Sequence, residues 1–194
     1  DVDVIIDVVD ASSLERNLYL TLQLLELGKP VVMALNMMDI VEKRGLEIDT
    51  HRLPEMLGIP VIPVSARKRR GMDVLIHAAA HHRAIEDKPC FIHNHHGEAE
   101  AGKHQHDHHQ DFVMVYSDEL EDKIDQLLSV LMEKYPEAKV PYRWLAIKHL
   151  EGDCEIVREY PVDLPQIVDR SYEQDIINQK YDFIEEVINE VILN

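Results

Sequence analysis

Short apolar runs and helical repeats alternate through residues 1–85. Val4-Ile5-Ile6 with Val8-Val9, then Pro30-Val31-Val32-Met33-Ala34-Leu35, then Pro60-Val61-Ile62-Pro63-Val64 each read as a strand. Runs this uniformly apolar suit strands buried on both faces, as in a parallel sheet. Between the first two, Leu14, Leu18, Leu22 and Leu25 recur on one face of a helix predicted over 13–27, with Gly28 placed just past its end. Shorter helices are predicted over 50–57, ended by Gly58, and over 72–83. Strand and helix in alternation predict a right-handed α/β fold. Pro63 demotes the third strand to a sheet edge, because proline has no N–H for the ladder.

The pattern then changes twice. Residues 86–111 are rich in Gly, His, Glu and Lys, with Cys90-Phe91-Ile92 as the one apolar cluster, and read as a linker without a core. Residues 112–194 read as helices. Ser117 is placed to cap a helix with an acidic first turn (Asp118, Glu119, Glu121) and an apolar stripe of Leu120, Ile124, Leu127, Leu128 and Leu131. A second helix is predicted over 141–151, with Pro141 in its first turn and Gly152 after its end. A third starts near Ser171 and carries Ile176, Ile177, Phe183, Ile184, Val187, Ile188 and Val191. These helices need one another, and the first segment, to bury their stripes.

Composition narrows the function. With 194 residues and 45% hydrophobic content the chain holds one medium domain or two small ones. A formal charge of −17 argues against nucleic-acid binding, since phosphate contacts require clustered Lys and Arg; the one basic run is Arg67-Lys68-Arg69-Arg70. No stretch approaches the roughly 18 consecutive apolar residues of a membrane span. Asp1, Asp3 and Asp7 open the sequence without the basic lead of a signal peptide, and Cys90 and Cys154 form neither metal-type spacing nor a disulfide framework. The expectation is a soluble, acidic, intracellular module.

Candidate chemistry sits at the carboxyl ends of the strands, where open α/β sheets bind ligands. The second strand ends in Asn36-Met37-Met38-Asp39 and the third in Ser65-Ala66-Arg67. Asn-x-x-Asp followed by Ser-Ala at the next strand end is the pair with which translational-type GTPases hold guanine. A fixed carboxylate at Asp39 accepts from both guanine N1–H and the exocyclic amine, a donor pair adenine does not offer. Asn36 donates to the ring and ties the loops together, and the Ala66 N–H reaches the guanine carbonyl. Such charge-assisted bonds are worth about 1.5–3 kcal/mol each. Asn-x-x-Asp alone is equally a surface turn after a strand; the Ser-Ala in order and spacing is what favours the base site.

The run Val8-Val9-Asp10-Ala11-Ser12-Ser13-Leu14-Glu15-Arg16-Asn17-Leu18-Tyr19-Leu20-Thr21 closely resembles the FeoB family of ferrous-iron transporters with an amino-terminal G domain. So does Ala34-Leu35-Asn36-Met37-Met38-Asp39, with methionine at Met37 where GTPases at large usually carry lysine. Tyr142-Arg143-Trp144-Leu145-Ala146-Ile147-Lys148 with Leu150-Glu151-Gly152-Asp153 resembles the family's helical spacer, and Lys180-Tyr181-Asp182-Phe183-Ile184 the segment before its first membrane helix. The resemblance implies a partial P-loop GTPase-like sheet of three parallel strands with helices, followed by an all-helical spacer. It also implies Asn36, Met37, Asp39, Ser65, Ala66 and Arg67 around GTP or GDP. The implied partners are the amino-terminal half of the G domain and a membrane permease domain, with the whole at the cytoplasmic face of a bacterial or archaeal inner membrane. A FeoB-type G domain also has a Gly-rich loop ending in Gly-Lys-Ser/Thr, a switch threonine and an Asp-x-x-Gly segment. No glycine precedes Gly28 here. The expectation is a piece of a larger protein, without the phosphate cradle and Mg²⁺ site, that does not hydrolyse GTP alone.

All of the 12 histidines except His51 and His149 lie between His77 and His109. His93, His95, His96, His104, His106, His108 and His109, with Glu98 and Asp107 nearby, form a set suited to Zn²⁺, Ni²⁺, Cu²⁺ or, more weakly, Fe²⁺. The competing reading is a solvated linker whose metal affinity is incidental. His77, His81 and His82 fall on the predicted helix, where exposed positions need no ligand role. Two alternatives to the FeoB reading are a nickel-chaperone-type GTPase with a histidine-rich segment and a metal-binding scaffold without a nucleotide role.

Overall fold

The computed structural model describes residues 2–86 and 114–193. Its α/β part runs β1 (Ile5–Asp10), α1 (Leu14–Glu26), β2 (Val31–Asn36), α2 (Met38–Lys43), β3 (Glu47–Ile48), α3 (Arg52–Leu57), β4 (Val61–Pro63) and α4 (Met72–Glu86). The helical part follows as α5 (Asp118–Lys134), α6 (Tyr142–Glu151), α7 (Cys154–Glu159) and α8 (Glu173–Val191), and closes with β5 (Ile192–Leu193). The fold is the expected one, a three-stranded parallel sheet with helices and then a helical domain. Two elements pair outside that scheme: β3 and β5 form a separate antiparallel pair, with Glu47 opposite Leu193 and Ile48 opposite Ile192.

The sheet order is β1-β2-β4, both pairings parallel, so β2 is central and Pro63 lies on an edge. The apolar run of β2 is explained by its two covered faces. Val31, Met33 and Leu35 enter a core with α1, α3 and α8, while Val32 and Ala34 meet Leu75 and Ala79 of α4. In β1 only one face is so covered: Val9 is buried, but Ile6 and Val8 are exposed, Val8 to 64%. The pleat puts successive side chains on opposite faces, so these two mark the α4 side.

Local signals place the helices. Asp10 accepts from the Ser12 N–H (2.9 Å) and hydroxyl (2.7 Å), turning the end of β1 through a 3₁₀ turn into α1. Leu14, Leu18 and Leu22 are buried as their spacing predicts, and Gly28 follows the helix with φ +66°. The end of α5 differs from expectation. Ser117 holds the N-cap position, yet its hydroxyl makes no bond to the helix. Its N–H donates to Gln179 Oε1 (2.7 Å), its Oγ accepts from Gln179 Nε2 (3.3 Å), and Glu121 takes the Tyr116 N–H (2.8 Å). Gln179 of α8 thus binds Ser117 itself, and among the described hydrogen bonds no side chain caps the first turn of α5. Pro141 is the N-cap of α6, one residue ahead of the first turn.

The helical core gathers Leu120, Ile124, Leu127 and Leu131 of α5, Leu145, Ala146, Ile147 and Leu150 of α6, and Ile176 of α8. Further along the same α8, Ile184, Val187 and Val191 belong to the sheet's core. Each of the leucine, isoleucine and valine side chains contributes about 1.5–3 kcal/mol by leaving water. Between the two groups sits Lys180, with 0% of its side chain exposed. Its Nζ lies 3.1 Å from Glu26 Oε1 and 5.5 Å from the centre of the Tyr19 ring. Glu26 also accepts from the Tyr116 hydroxyl at 2.7 Å.

A second buried charge lies in the sheet. Asp7 of β1 accepts from the Thr21 hydroxyl of α1 at 2.6 Å. Burial pushes its carboxyl above the usual range, against the smaller pull of that hydroxyl. A raised folded-state pKa means that the protonated acid is favoured. Its contribution is complete below the unfolded value near 3.8 and is lost as pH rises through the folded value. Asp7→Asn keeps an acceptor for Thr21 and has no charge to bury. We expect it to raise Tm at pH 7, with the gain shrinking toward pH 4; a lower Tm at pH 7 would contradict this assignment. For the junction, Glu26→Ala should cost about 3–5 kcal/mol by stranding the Lys180 ammonium, whereas pairing Glu26→Leu with Lys180→Met should restore most of it. Urea unfolding of both variants decides, and equal losses would show that the charge pair is not the cause.

Candidate functional site

The loops after β2 and β4 meet at the carboxyl edge of the sheet. Asn36 ends β2, Met37 turns the chain with φ +65°, and Met38 begins α2, so that Asp39 falls in its first turn. The sequence reading placed Asn36-Met37-Met38-Asp39 correctly at the strand end but did not foresee α2. A non-glycine residue in the left-handed region costs about 1–2 kcal/mol, and Met37 is held there by bonds on both sides. The Met38 N–H donates to Val64 O (3.4 Å), and the Ile40 and Val41 N–H groups both donate to Met37 O (2.9 and 3.2 Å).

Beyond β4 the chain closes a tight turn. Ser65 and Arg70 exchange backbone hydrogen bonds of 3.0 and 3.1 Å across Ala66, Arg67, Lys68 and Arg69. The structure brings five of the six expected residues into this junction of two loops. The Ser65 hydroxyl donates to Asp39 Oδ1 at 3.0 Å, and the Ala66 N–H donates to Asn36 Oδ1 at 3.1 Å. Ser65 is buried, Asp39 is only 3% exposed, and Met37 beside them is 41% exposed. Arg67 sits on the exposed turn, where no hydrogen bond or ion pair to the other loop is described. A further cross-link escaped the sequence reading: Arg70 Nη2 meets Glu42 Oε1 at 2.8 Å, joining the turn to α2. Its only sequence signal is an acid one turn past Asp39 and a base at the loop's closure.

Asp39 is poised as an acceptor. Burial pulls its carboxyl upward, but the Ser65 hydroxyl, the charges of Lys68 and Lys43 and its own N–H together hold it below the usual carboxylate range. An ionised carboxylate has about four lone-pair sites. One hydrogen bond from Ser65 therefore fixes the group and leaves acceptor capacity for a ligand with two adjacent N–H donors. The Ala66 N–H in this geometry is satisfied by Asn36, so a ligand carbonyl would share that donor or displace Asn36.

Other candidates fall elsewhere. A cleft of about 400 Å³ lies at the opposite, amino end of the sheet, between Val31, Ile59, Glu26, Tyr116, Arg143 and Ile147. It belongs to the junction of the two parts and not to the strand ends that bind ligands in α/β sheets. His93, His95, His96, His104, His106, His108 and His109 lie outside the described residues. Among the described residues no group of three or more His, Cys, Asp or Glu converges as a metal site, and no helix is long and apolar enough to cross a membrane.

Comparison with known proteins sets this geometry in context. The family model for ferrous iron transport protein B matches residues 1–79, and that for the FeoB cytosolic helical domain matches residues 116–192. The Fe(2+) transporter FeoB of Salmonella typhimurium is 38% identical over 171 residues, covering 88% of this chain and 19% of that protein. The cytosolic domain of the T. maritima FeoB iron transporter in its apo form superposes with a TM-score of 0.78 at 26% identity, covering 100% of this chain and 69% of that one. A point mutant of S. thermophilus NFeoB bound to GDP superposes with a TM-score of 0.73 at 32% identity, covering 95% and 67%. The chain thus spans a small part of its full-length relative and about two thirds of the solved cytosolic domains.

Gly71 decides whether the Ser65 turn can close. Its φ is +81°, and a Cβ there would lie 2.5 Å from the Pro63 carbonyl oxygen. Gly45 has a similar φ of +67° with open space around it. Gly45→Ala should therefore cost only the backbone strain of about 1–2 kcal/mol, and Gly71→Ala clearly more. Urea midpoints compare the two, and equal losses would mean that the Pro63 contact yields freely.

Proposed function

This chain belongs to the ferrous iron transport protein B family, and we propose that within it the loops of residues 36–39 and 65–67 hold the guanine base of GTP or GDP. The observation that carries this reading is the buried Asp39 carboxylate, fixed by Ser65 at the end of β2 while Asn36 locks the two loops together. Guanine presents N1–H and an exocyclic amine side by side. Asp39 accepts both, and Asn36 with the Ala66 N–H addresses the other edge of the ring. Met37 lies over the exposed side, where its apolar chain packs on the base without a charge. Arg67 contributes through its backbone alone.

The phosphates need a different set of residues. A Gly-Lys-Ser/Thr loop is not among these 194 residues, so the cradle for the β- and γ-phosphates and the Mg²⁺ site come from the amino-terminal half of the G domain. The outer edge of β1, which among the described residues pairs with β2 on its other side and leaves Ile6 and Val8 exposed, is the edge such a segment would extend. Residues 114–193 act as the spacer between the G domain and a permease domain that carries Fe²⁺, at the cytoplasmic face of a bacterial or archaeal inner membrane.

The base assignment is tested with a phosphate-binding amino-terminal half joined to this chain. Asp39→Asn turns one acceptor into an NH₂ donor that faces the guanine amine, and two donors cannot pair. Xanthine has a carbonyl at that position and matches the asparagine. The expected result is at least about tenfold weaker GTP binding, ~1.4 kcal/mol, with improved binding of xanthosine triphosphate. Unchanged preference for guanine would leave residues 36–39 as a turn without a role in binding.

A further inference from the structure

We propose that His77 and His81 form a transition-metal chelate on the outer face of α4, separate from both the base site and the seven histidines that follow it in the sequence. The two residues are one helical turn apart, which places them on the same face. Their rings lie parallel within 1° with centroids 6.3 Å apart. Both are exposed, and among the described residues no hydrogen bond or ion pair engages either ring. Two imidazoles at this spacing are the pair that helical zinc motifs use as ligands.

The helix beneath them is anchored. Leu75 and Ala79, on the opposite face, are buried against Val32, Ala34 and Val64 of the sheet. The two rings are therefore presented by a fixed backbone, and little ordering remains to oppose binding. Asp73, one turn before His77 and also exposed, adds negative charge on the same face.

The donor set fixes the class of ion. Neutral imidazoles suit Cu²⁺, Ni²⁺ and Zn²⁺ over Mg²⁺ or Ca²⁺, with Cu²⁺ bound most tightly. Two protein ligands leave the other positions to water, since among the described residues no third His, Cys or carboxylate completes the set. The site is thus open and exchangeable, unlike the closed four-ligand sites that hold structural zinc.

The test uses the full chain with His93, His95, His96, His104, His106, His108 and His109 replaced by glutamine, so that only the helical pair, the adjacent His82, and His51 and His149 remain. Titration with Cu²⁺ should show one equivalent bound, an electron paramagnetic resonance spectrum with two nitrogen ligands, and amide broadening centred on residues 73–82. Zn²⁺ should raise Tm, because the folded helix holds the pair at chelating distance and the unfolded chain does not. His77→Gln and His81→Gln should each weaken Cu²⁺ at least about tenfold and abolish the Zn²⁺ shift, leaving the metal-free Tm unchanged. His82→Gln should change neither. Equal Cu²⁺ affinity in His77→Gln, a single-nitrogen spectrum, or broadening centred elsewhere would overturn the proposal.

Discussion

One helix serves two cores, and the arrangement of the whole chain depends on it. Ile176 at the start of α8 packs with the helical domain, while Ile184, Val187 and Val191 pack with α1, α3 and β2. Without those last three side chains, the sheet face formed by Met33 and Leu35 would lose part of its cover. The α/β part and the helical part therefore cannot separate without exposing apolar surface on both sides. The charged layer of Lys180, Glu26 and Tyr116 lies at the point where one core gives way to the other. The Lys180 ammonium, fully buried, is paired there with the Glu26 carboxylate at 3.1 Å, so removing either partner alone would strand a charge between the two cores.

The far end of α8 is tied by backbone bonds to β3 and Asp49, in the segment that follows α2. Val191 O accepts from the Asp49 N–H at 2.7 Å, β5 pairs with β3, and Arg52 Nε meets Glu190 Oε2 at 2.7 Å. Strand β3 follows α2 after only the short turn at residues 44–46, and α2 carries Asp39. The last residues of the described chain thus brace the segment that immediately follows α2, the helix that carries Asp39. The exposed Arg52 pair adds little by itself; the main-chain bonds and the buried Ile48 set the position.

Much of this was legible in residue pattern, and the exceptions have physical reasons. β2 announced itself because both of its faces are covered, and α1 because one face of four leucines repeats at helical spacing. β3 and β5 did not, since each is two residues long and owes its existence to a partner far away in the chain. Ser117 marks the N-cap position, but its hydroxyl accepts from Gln179 of α8 and makes no cap bond to the helix. Lys180 was the informative oversight. It falls between Ile176 and Ile184 on the buried face of α8, and a lysine at a core position implies an acid on another element.

In the candidate base site the sequence carried identity and order, and the structure adds constraint. Asn-x-x-Asp and Ser-Ala are separate strand ends in sequence, and only the fold makes them one object through Asn36 to Ala66, Ser65 to Asp39, Met38 to Val64 and Arg70 to Glu42. Those bonds orient Asp39, and the same surroundings keep it ionised: the Ser65 hydroxyl and the charges of Lys68 and Lys43 outweigh the upward pull of burial. Under the proposed guanine assignment ionisation matters, because a protonated carboxyl would offer a donor toward guanine's own donors. A carboxylate whose folded-state pKa is lowered loses that support only as pH falls through the folded value, well below neutrality. The acceptor is therefore set by the fold itself, and under the proposed assignment selection for guanine needs no rearrangement of charge.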